Sequence, residues 1–242
     1  MLASTTSTED SGLFEVLLPG FQRARPGYRV RVIAVGSGEA LRLAERGDAD
    51  AVLAHSPRAE ERFMAAGHGE SRRPVMFNDF VIVGPEADVA VIRGLSGAAT
   101  AFARIAGSAA PFISRGDDSG THARERLLWD AARIEPAGSW YLEAGQGMGA
   151  VLMMASEKQA YTLTDRGTYL SLRDRLELSV LVEGDPALRN QYSVIVVRGA
   201  ANPDGARAFA AWITSPAAQQ LIGEFGRERF GRPLFTPNAE RD

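Results

Sequence analysis

The feature that most constrains the fold is an alternation of apolar strand segments with helical segments along the whole chain. Apolar residues recur at helical spacing in residues 12–24, whereas residues 74–84 and 192–197 are long runs typical of buried strands. This alternation predicts an α/β protein whose mostly parallel sheets are covered by helices. Within it, Pro19 predicts a kink or an early end of the first long helix, and the alternating residues 28–35 predict a half-exposed strand.

The two long strand runs bracket a middle segment large enough for a sheet of its own. We therefore predict two lobes, one formed by residues 1–84 plus 190–242 and the other by residues 85–189. Two crossings of the chain would join them, and two crossings suit a hinge that closes on a ligand. A single continuous sheet is the alternative that the pattern leaves open.

Composition excludes several function classes. The 242 residues include 27 basic and 30 acidic side chains, so the net charge of −3 does not favour binding to nucleic acid or to an acidic membrane. The absence of cysteine excludes disulfides, thiolate catalysis and cysteine-ligated metal clusters. The sequence contains no run of about 18 apolar residues, so no transmembrane helix is predicted. The function classes that remain are binding of a small ligand and catalysis on a small substrate.

Hydroxyl and glycine residues follow three of the predicted strands. Open α/β sheets bind ligands at the carboxyl ends of their strands, and the free N–H groups at a helix start favour anions. Ordinary helix capping, without any ligand, uses the same residue types. The third loop, SRGDDSGT, differs because it adds an arginine. The candidate anion donors are Thr5, Thr6 and Ser7 in the first loop, Ser37 in the second, and Arg115, Ser119, Gly120 and Thr121 in the third.

Three further donors are weaker candidates, namely Gly147, Met148 and Thr164. The two aspartates of the third loop are a difficulty, because an ionised carboxylate repels an anion. We predict that Asp118 caps the following helix and that Asp117 holds Arg115 in place or acts as a cap. The alternative is that Asp117 faces the ligand and accepts a proton, which would select a protonated oxyanion such as phosphate.

An enzyme is the less favoured alternative. Ser119 resembles a nucleophile only faintly, since the G-x-S-x-G elbow of the hydrolases is absent. A nucleophile needs a base within reach, and His122 is predicted to be a surface residue. His55, at a fourth strand end, could line a cleft, but a simple turn residue is the prediction. No metal-ligand spacing and no dinucleotide fingerprint is present.

Several segments together resemble the substrate-binding proteins of bacterial ABC-type tungstate transporters, within the type II periplasmic binding proteins. SRGDDSGT and TLTDRGTY are the most distinctive, and Ser4 stands where that family often has threonine. The segments span nearly the whole chain: STTSTEDSGL (4–13), VGSGEAL (35–41), GDADAVLAH (47–55), NDFVIVGP (78–85), SRGDDSGTH (114–122), GQGMG (145–149), AYTLTDRGTY (160–169) and SPAAQQLIGEFG (215–226).

The resemblance implies a two-lobed type II periplasmic-binding-protein fold and a non-enzymatic, monomeric receptor without a cofactor. Its ligand would be tungstate, with molybdate as a second oxyanion, and its partner the permease of an ABC importer, which would be its only link to a membrane. The family further implies a periplasmic or otherwise extracytoplasmic location. A phosphate or other oxyanion receptor, and a cytosolic oxyanion sensor of the same fold, remain open alternatives.

Overall fold

The computed structural model describes residues 1–239, in which helices and strands alternate as the sequence predicts. The strands are β1 (Leu2–Thr5), β2 (Val32–Val35), β3 (Ala51–Ala54), β4 (Gly69–Gly84), β5 (Phe112–Ser114), β6 (Tyr141–Glu143), β7 (Thr162–Asp165), β8 (Ser179–Val182), β9 (Arg189–Val197) and β10 (Thr236–Pro237). The helices are α1 (Thr6–Asp10), α2 (Leu13–Ala24), α3 (Ser37–Glu45), α4 (Pro57–Ala65), α5 (Ala98–Gly107), α6 (Gly120–Ala132), α7 (Met148–Glu157), α8 (Arg166–Leu172), α9 (Pro203–Ile213), α10 (Pro216–Glu224) and α11 (Arg227–Phe230).

The chain forms two compact units. The first contains residues 1–78 and 191–239, and the second contains residues 79–190. The chain passes from one unit to the other within β4 and returns within β9. The lobe boundaries at 84/85 and 189/190 stay a prediction, and residues 240–242 of the predicted first lobe lie outside the described residues.

The sheet of the first unit is ordered β10-β4-β9-β3-β1-β2. Strand β1 pairs in parallel with β2 on one side and with β3 on the other. Both β1 and β3 are fully buried, as expected of central strands covered on both faces. Packed against this sheet is a core cluster that includes Leu41, Val52, Phe63 and Ile195.

In the second unit, the end of β4 pairs antiparallel with β7 and with β8. Strands β5 and β6 pair in parallel, and Phe112 in β5 bridges in parallel to Tyr161 beside β7. An aromatic core fixes α6 over this sheet, because Trp129 lies 4.3 Å from Phe102 and 5.2 Å from Phe112 between ring centroids. Such pairs stabilise beyond their buried area.

The α/β architecture with helices flanking the sheets is confirmed, but the sheets are mixed rather than mostly parallel. Parallel pairing holds where a helix connects successive strands, as it does from β1 to β3. The long strands β4 and β9, which pass between the units, pair antiparallel with β7 and β3 respectively. Apolar runs do not reveal strand direction, so the hydrophobic pattern could not predict the antiparallel pairing of β4 and β9.

Two local predictions need correction: the early end of the first long helix and the length of the second strand. Helix α2 continues through Pro19 to Ala24 and does not end early. The predicted strand over residues 28–35 is limited to β2, since β1 offers only four partners, Leu2–Thr5, to pair with Val32–Val35. No helix within residues 1–239 is both long and apolar enough to cross a membrane.

A buried arginine joins distant parts of the second unit. The guanidinium of Arg166, at the start of α8, is 8% exposed and contacts both carboxylate oxygens of Asp79, with Nε to Oδ1 at 2.8 Å. It also contacts Glu183 at 2.6 Å. Because Asp79 lies in β4 and Arg166 follows β7, this pair holds the register between the two strands.

Replacing Arg166 with alanine is expected to lower the free energy of unfolding by about 2–4 kcal/mol. The carboxylate of Asp79, 31% exposed, would lose its charged partner, and its partial exposure reduces the cost below that of a fully buried pair. Urea unfolding measures the loss. The matched control is Arg207→Ala, which removes a 54%-exposed arginine paired with Glu70 and should cost less than about 1 kcal/mol. Equal losses in both variants would contradict the structural role of Arg166.

Candidate functional site

In the first unit, the carboxyl ends of β1, β2 and β3 lie at one edge of the sheet, because the three strands run parallel. Helix α1 begins directly after Thr5 and α3 begins at Ser37. His55 is the first residue after β3. The topology thus brings the first two predicted donor loops to the same edge, which is where open α/β sheets bind ligands.

A chain of hydrogen bonds connects the polar side chains at this edge. The Oγ1 atom of Thr5 lies 3.1 Å from Ser7 Oγ and 2.8 Å from Thr8 Oγ1. Ser7 Oγ in turn lies 3.3 Å from His55 Nε2. The backbone N–H of His55 donates to Ser37 Oγ at 3.4 Å. The structure therefore brings together Thr5, Ser7 and Ser37.

Thr6 is exposed on α1, and this network does not include it. His55, in contrast, is 8% exposed and its ring lies 4.7 Å from that of Tyr192 between centroids. The prediction of a simple turn residue at His55 was therefore wrong. Its position directly after a buried strand, like that of the other donor loops, was the available signal.

In the second unit, the carboxyl ends of β5, β6 and β7 likewise share an edge. Arg115 directly follows β5, and the glycine-rich segment 145–149 follows β6. The N–H of Gly145 donates to the Arg115 carbonyl at 2.8 Å, which fixes the two loops together. The anion loop, defined here as residues 114–121, is thus held against the β6–α7 connection.

Asp117 is committed to groups within the anion loop. Its carboxylate pairs with the Arg115 guanidinium and accepts the Ser119 N–H at 3.2 Å. Burial raises the pKa of Asp117, but hydrogen bonds from Ser119 and the charge of Arg115 outweigh burial and hold the pKa below its usual range. Asp117 is therefore ionised at neutral pH, and the prediction that it holds Arg115 in place is confirmed.

Asp118 does not cap α6, contrary to the prediction. Ser119 is the N-cap residue, and its Oγ accepts the His122 N–H at 3.2 Å. The side chain of Asp118 is 91% exposed, and its backbone is left-handed with φ +54°. The turn begins one residue earlier at Gly116, φ +58°, where a Cβ would lie 2.7 Å from the Cβ of Glu143. This turn directs Asp118 outward and places Ser119 at the cap.

His122 is also buried, at 7% exposure, and not on the surface as predicted. Its Nδ1 accepts the N–H of Asp118 at 3.0 Å. The ring is therefore occupied in supporting the loop, while its backbone alone contacts Ser119. A serine nucleophile needs a base on its hydroxyl, and His122 does not supply one to Ser119.

The Nε atom of Arg115 has no hydrogen-bond partner although it is buried. Among residues 1–239 it is the single buried side-chain nitrogen or oxygen in that condition. An unpaired buried donor costs on the order of 1–3 kcal/mol. An oxygen-rich anion is the acceptor that would satisfy it, and Asp117 already positions the guanidinium.

The first residues of α6 add further donors to Arg115. Gly120 and Thr121 occupy its first two positions, where backbone N–H groups have no intrahelical acceptor. Gly147 precedes α7 as its N-cap, with Met148 buried at the first helical position. Thr164 is fully buried, and its hydroxyl donates to the Asp165 carbonyl at 3.0 Å. That bond makes Thr164 the least available of the candidates in this unit.

Two buried acids lie in this unit: Asp165, a helix cap as its position in the sequence indicates, and Glu125, which sequence reasoning missed. Asp165 caps α8 by accepting the N–H of Thr168 at 2.8 Å; burial raises its pKa, and the nearby charge of Arg115 opposes that rise. Glu125, 1% exposed in α6, accepts from Tyr141 Oη at 2.8 Å and from Trp129 Nε1 at 3.1 Å. Its spacing from Thr121, Leu128 and Trp129 placed it on the buried face of α6, which was the available signal.

Burial raises the pKa of Glu125 from 4.5 to about 7, although Tyr141, Ser114 and Trp129 donate to it and favour its charged form. The folded chain therefore holds this proton more tightly than the unfolded chain. Stability from Glu125 is greatest at acid pH and is lost as pH rises from 4.5 to about 7.

When the pH is raised from about 5 to about 8, the loss of the Glu125 proton should lower the free energy of unfolding by about 2 kcal/mol. Urea unfolding at both pH values measures this loss, and Glu125→Gln should lack it. The control Glu135→Gln alters an exposed acid near the end of α6 and should keep the wild-type difference. A Glu125→Gln protein with the wild-type pH dependence would contradict the assignment.

The two sets of groups offer hydroxyls, backbone N–H groups and one guanidinium. Within residues 1–239, no group of three or more histidine, aspartate or glutamate side chains is placed to hold a metal cation. The chemistry of both sets is that of donors to oxygen atoms, as an oxyanion requires.

Comparisons with known proteins agree with this chemistry. The model of the PBP superfamily domain matches residues 1–217. The chain is 50% identical to the tungstate-binding protein TupA of Peptoclostridium acidaminophilum, over 100% of this chain and 86% of that protein. The structure of the tungstate-binding protein TupA from Desulfovibrio alaskensis G20 superposes with a TM-score of 0.88 at 44% identity, covering 99% and 98% of the two chains.

A second solved structure, the tungstate ABC transporter protein from Geobacter sulfurreducens, superposes with a TM-score of 0.83 at 45% identity, covering 93% of this chain and 97% of that one. The resemblance read from the sequence is thereby confirmed. The chain belongs to the PBP superfamily and, within it, to the family of these tungstate-binding proteins of ABC transporters.

Proposed function

We propose that this protein is a solute-binding protein that captures tungstate for an ABC importer. It is similar over its full length to proteins named for tungstate binding. The observation in the chain itself that supports this role most strongly is Arg115, whose guanidinium is fixed by Asp117 and whose buried Nε has no partner.

Tungstate at neutral pH is a tetrahedral dianion that carries no proton, so its oxygens can only accept hydrogen bonds. A site for it should offer donors alone. The proposed donors are the hydroxyls of Thr5, Thr6, Ser7, Ser37, Ser119 and Thr121, the guanidinium of Arg115 and the N–H groups of Gly120 and Thr121, with weaker candidates at Gly147, Met148 and Thr164. One arginine offsets one of two charges, and the partial positive charge of the α6 N-terminus contributes to the rest.

The ionised Asp117 bears on selectivity. Phosphate near neutral pH carries a proton, and a receptor can recognise that proton with a carboxylate acceptor. Asp117 already accepts from Arg115 and Ser119, which supports selection of a fully deprotonated oxyanion. Molybdate has nearly the same size and charge as tungstate, so we propose that it also binds.

The remaining parts of the proposal rest on the family. ABC importers take their solute from a binding protein outside the cytoplasm, so we propose an extracytoplasmic or periplasmic location. The direct partner would be the permease, with the protein itself acting as a monomer.

Replacing Arg115 with alanine is expected to weaken tungstate binding by on the order of 2–5 kcal/mol, because a desolvated dianion loses its charged partner. The tungstate affinity of Arg115→Lys should lie between those of the wild type and Arg115→Ala, since lysine keeps the charge but not the planar fork of donors. Titration calorimetry measures both affinities, and circular dichroism checks that the variants are folded.

The matched control is Arg126→Ala, on the exposed side of α6 with 67% of its side chain accessible. It removes the same charge from a residue that lies 3.8 Å from Asp118 of the anion loop, and a solvated charge contributes little. We expect its affinity to remain close to wild type. Unchanged tungstate affinity in Arg115→Ala, or equal losses in the two alanine variants, would contradict the assignment of Arg115.

A further inference from the structure

Glu125 supports the anion loop from the interior of the second unit. Its carboxylate is 1% exposed and accepts from Tyr141 in β6 and from Trp129 in α6. Interactions with the Ser114 hydroxyl and the Arg115 backbone N–H favour its charged form and oppose the rise of its pKa. The acid therefore interacts with the main chain of the residue whose guanidinium is the proposed charge partner of the oxyanion.

Within residues 1–239, the surroundings of Glu125 provide donors, and no ion pair with an arginine or lysine neutralises its carboxylate. Tyr141 of β6 donates to its carboxylate, and the Arg115 backbone interacts with it. Glu143 of β6 acts on Tyr141, and His122, one turn before Glu125 on α6, lies 3.9 Å from Glu143. Burial raises the pKa of the Tyr141 phenol, so Tyr141 stays a neutral donor. The Arg115 guanidinium is directed to Asp117 instead. An ionised Glu125 is thus a buried negative charge beside a site for a dianion.

We propose that Glu125 couples oxyanion capture to proton uptake: binding of the dianion at the anion loop drives a proton onto the Glu125 carboxyl. Two negative charges in a region of low dielectric repel strongly. Protonating the acid removes one of them, and the carboxyl can keep its place by donating to the Ser114 hydroxyl. This inference rests on the proposed function and adds to it a residue that tunes affinity without touching the ligand.

The burial of Glu125 also determines the pH range in which the coupling acts. Burial raises the pKa of Glu125 to about 7, so the group is partly protonated near neutral pH before any anion binds. Since the anion favours the protonated form, affinity should fall as pH rises through this range. A purely structural role for Glu125 would give no such linkage.

The experiment is titration of the wild-type protein with micromolar sodium tungstate at about pH 7.5, in two buffers with different ionisation enthalpies. If the anion raises the pKa of Glu125 by about one unit, binding should take up roughly half a proton. The affinity should also weaken by about sixfold between about pH 6.5 and about pH 8.5.

In Glu125→Gln, proton uptake should disappear and affinity should become independent of pH, because the amide keeps the shape and the acceptor for Tyr141 and Trp129 without the charge. Glu143→Gln is the matched control: it removes a 60%-exposed carboxylate from β6 beside the same loop, and it should retain the wild-type uptake. Circular dichroism confirms that both variants fold.

A second variant keeps Glu125 itself. Tyr141→Phe removes one donor that stabilises the charged carboxylate, so the pH midpoint of tungstate affinity should move upward. Uptake that persists in Glu125→Gln, from His122, Asp165 or any other group, would overturn the proposal. So would wild-type binding without uptake, although tungstate capture would then stand. If wild type binds no tungstate, both proposals fail.

Discussion

The ion pair between Arg115 and Asp117 determines what the second unit can offer to a ligand. The pair orients the guanidinium, while Asp117 also accepts the Ser119 N–H and so fixes the start of α6. Because this carboxylate binds both Arg115 and the Ser119 N–H, its interactions are made within the loop, and it remains ionised. With Asp118 directed outward, the groups that the loop offers to a ligand are donors, which is the property that a fully deprotonated oxyanion requires.

The rest of the second unit supports that loop from behind. Glu125 interacts with Ser114 and Arg115 at its beginning, His122 accepts from Asp118, and Gly145 donates to the Arg115 carbonyl. These contacts come from α6 and from the segment after β6, so the loop is positioned by the packed elements of the unit and not by its own sequence alone. Rigid support of this kind reduces the ordering cost of binding.

Much of this arrangement could be predicted from the sequence, because strand ends and helix starts are local features. The hydroxyls of Thr5, Ser7 and Ser37 were expected at one sheet edge, and parallel β1, β2 and β3 place them there. Contacts between distant residues could not be predicted. Ser7 and His55 are 48 positions apart, and Arg166 and Asp79 are 87 apart. Periodicity assigns a residue to a face of its element but does not identify its partner. The choice of Ser119 over Asp118 as the cap depends on left-handed backbone at Gly116 and Asp118, which residue type alone does not determine.

The central claim is that the protein binds a fully deprotonated tetrahedral oxyanion through donors alone. Competition calorimetry on the wild-type chain tests it most directly, with tungstate titrated in the presence and absence of a large molar excess of phosphate at neutral pH. The account predicts that tungstate binds as one anion per chain with an affinity that phosphate does not change. Displacement of tungstate by phosphate, or tighter binding of phosphate than of tungstate, would contradict it.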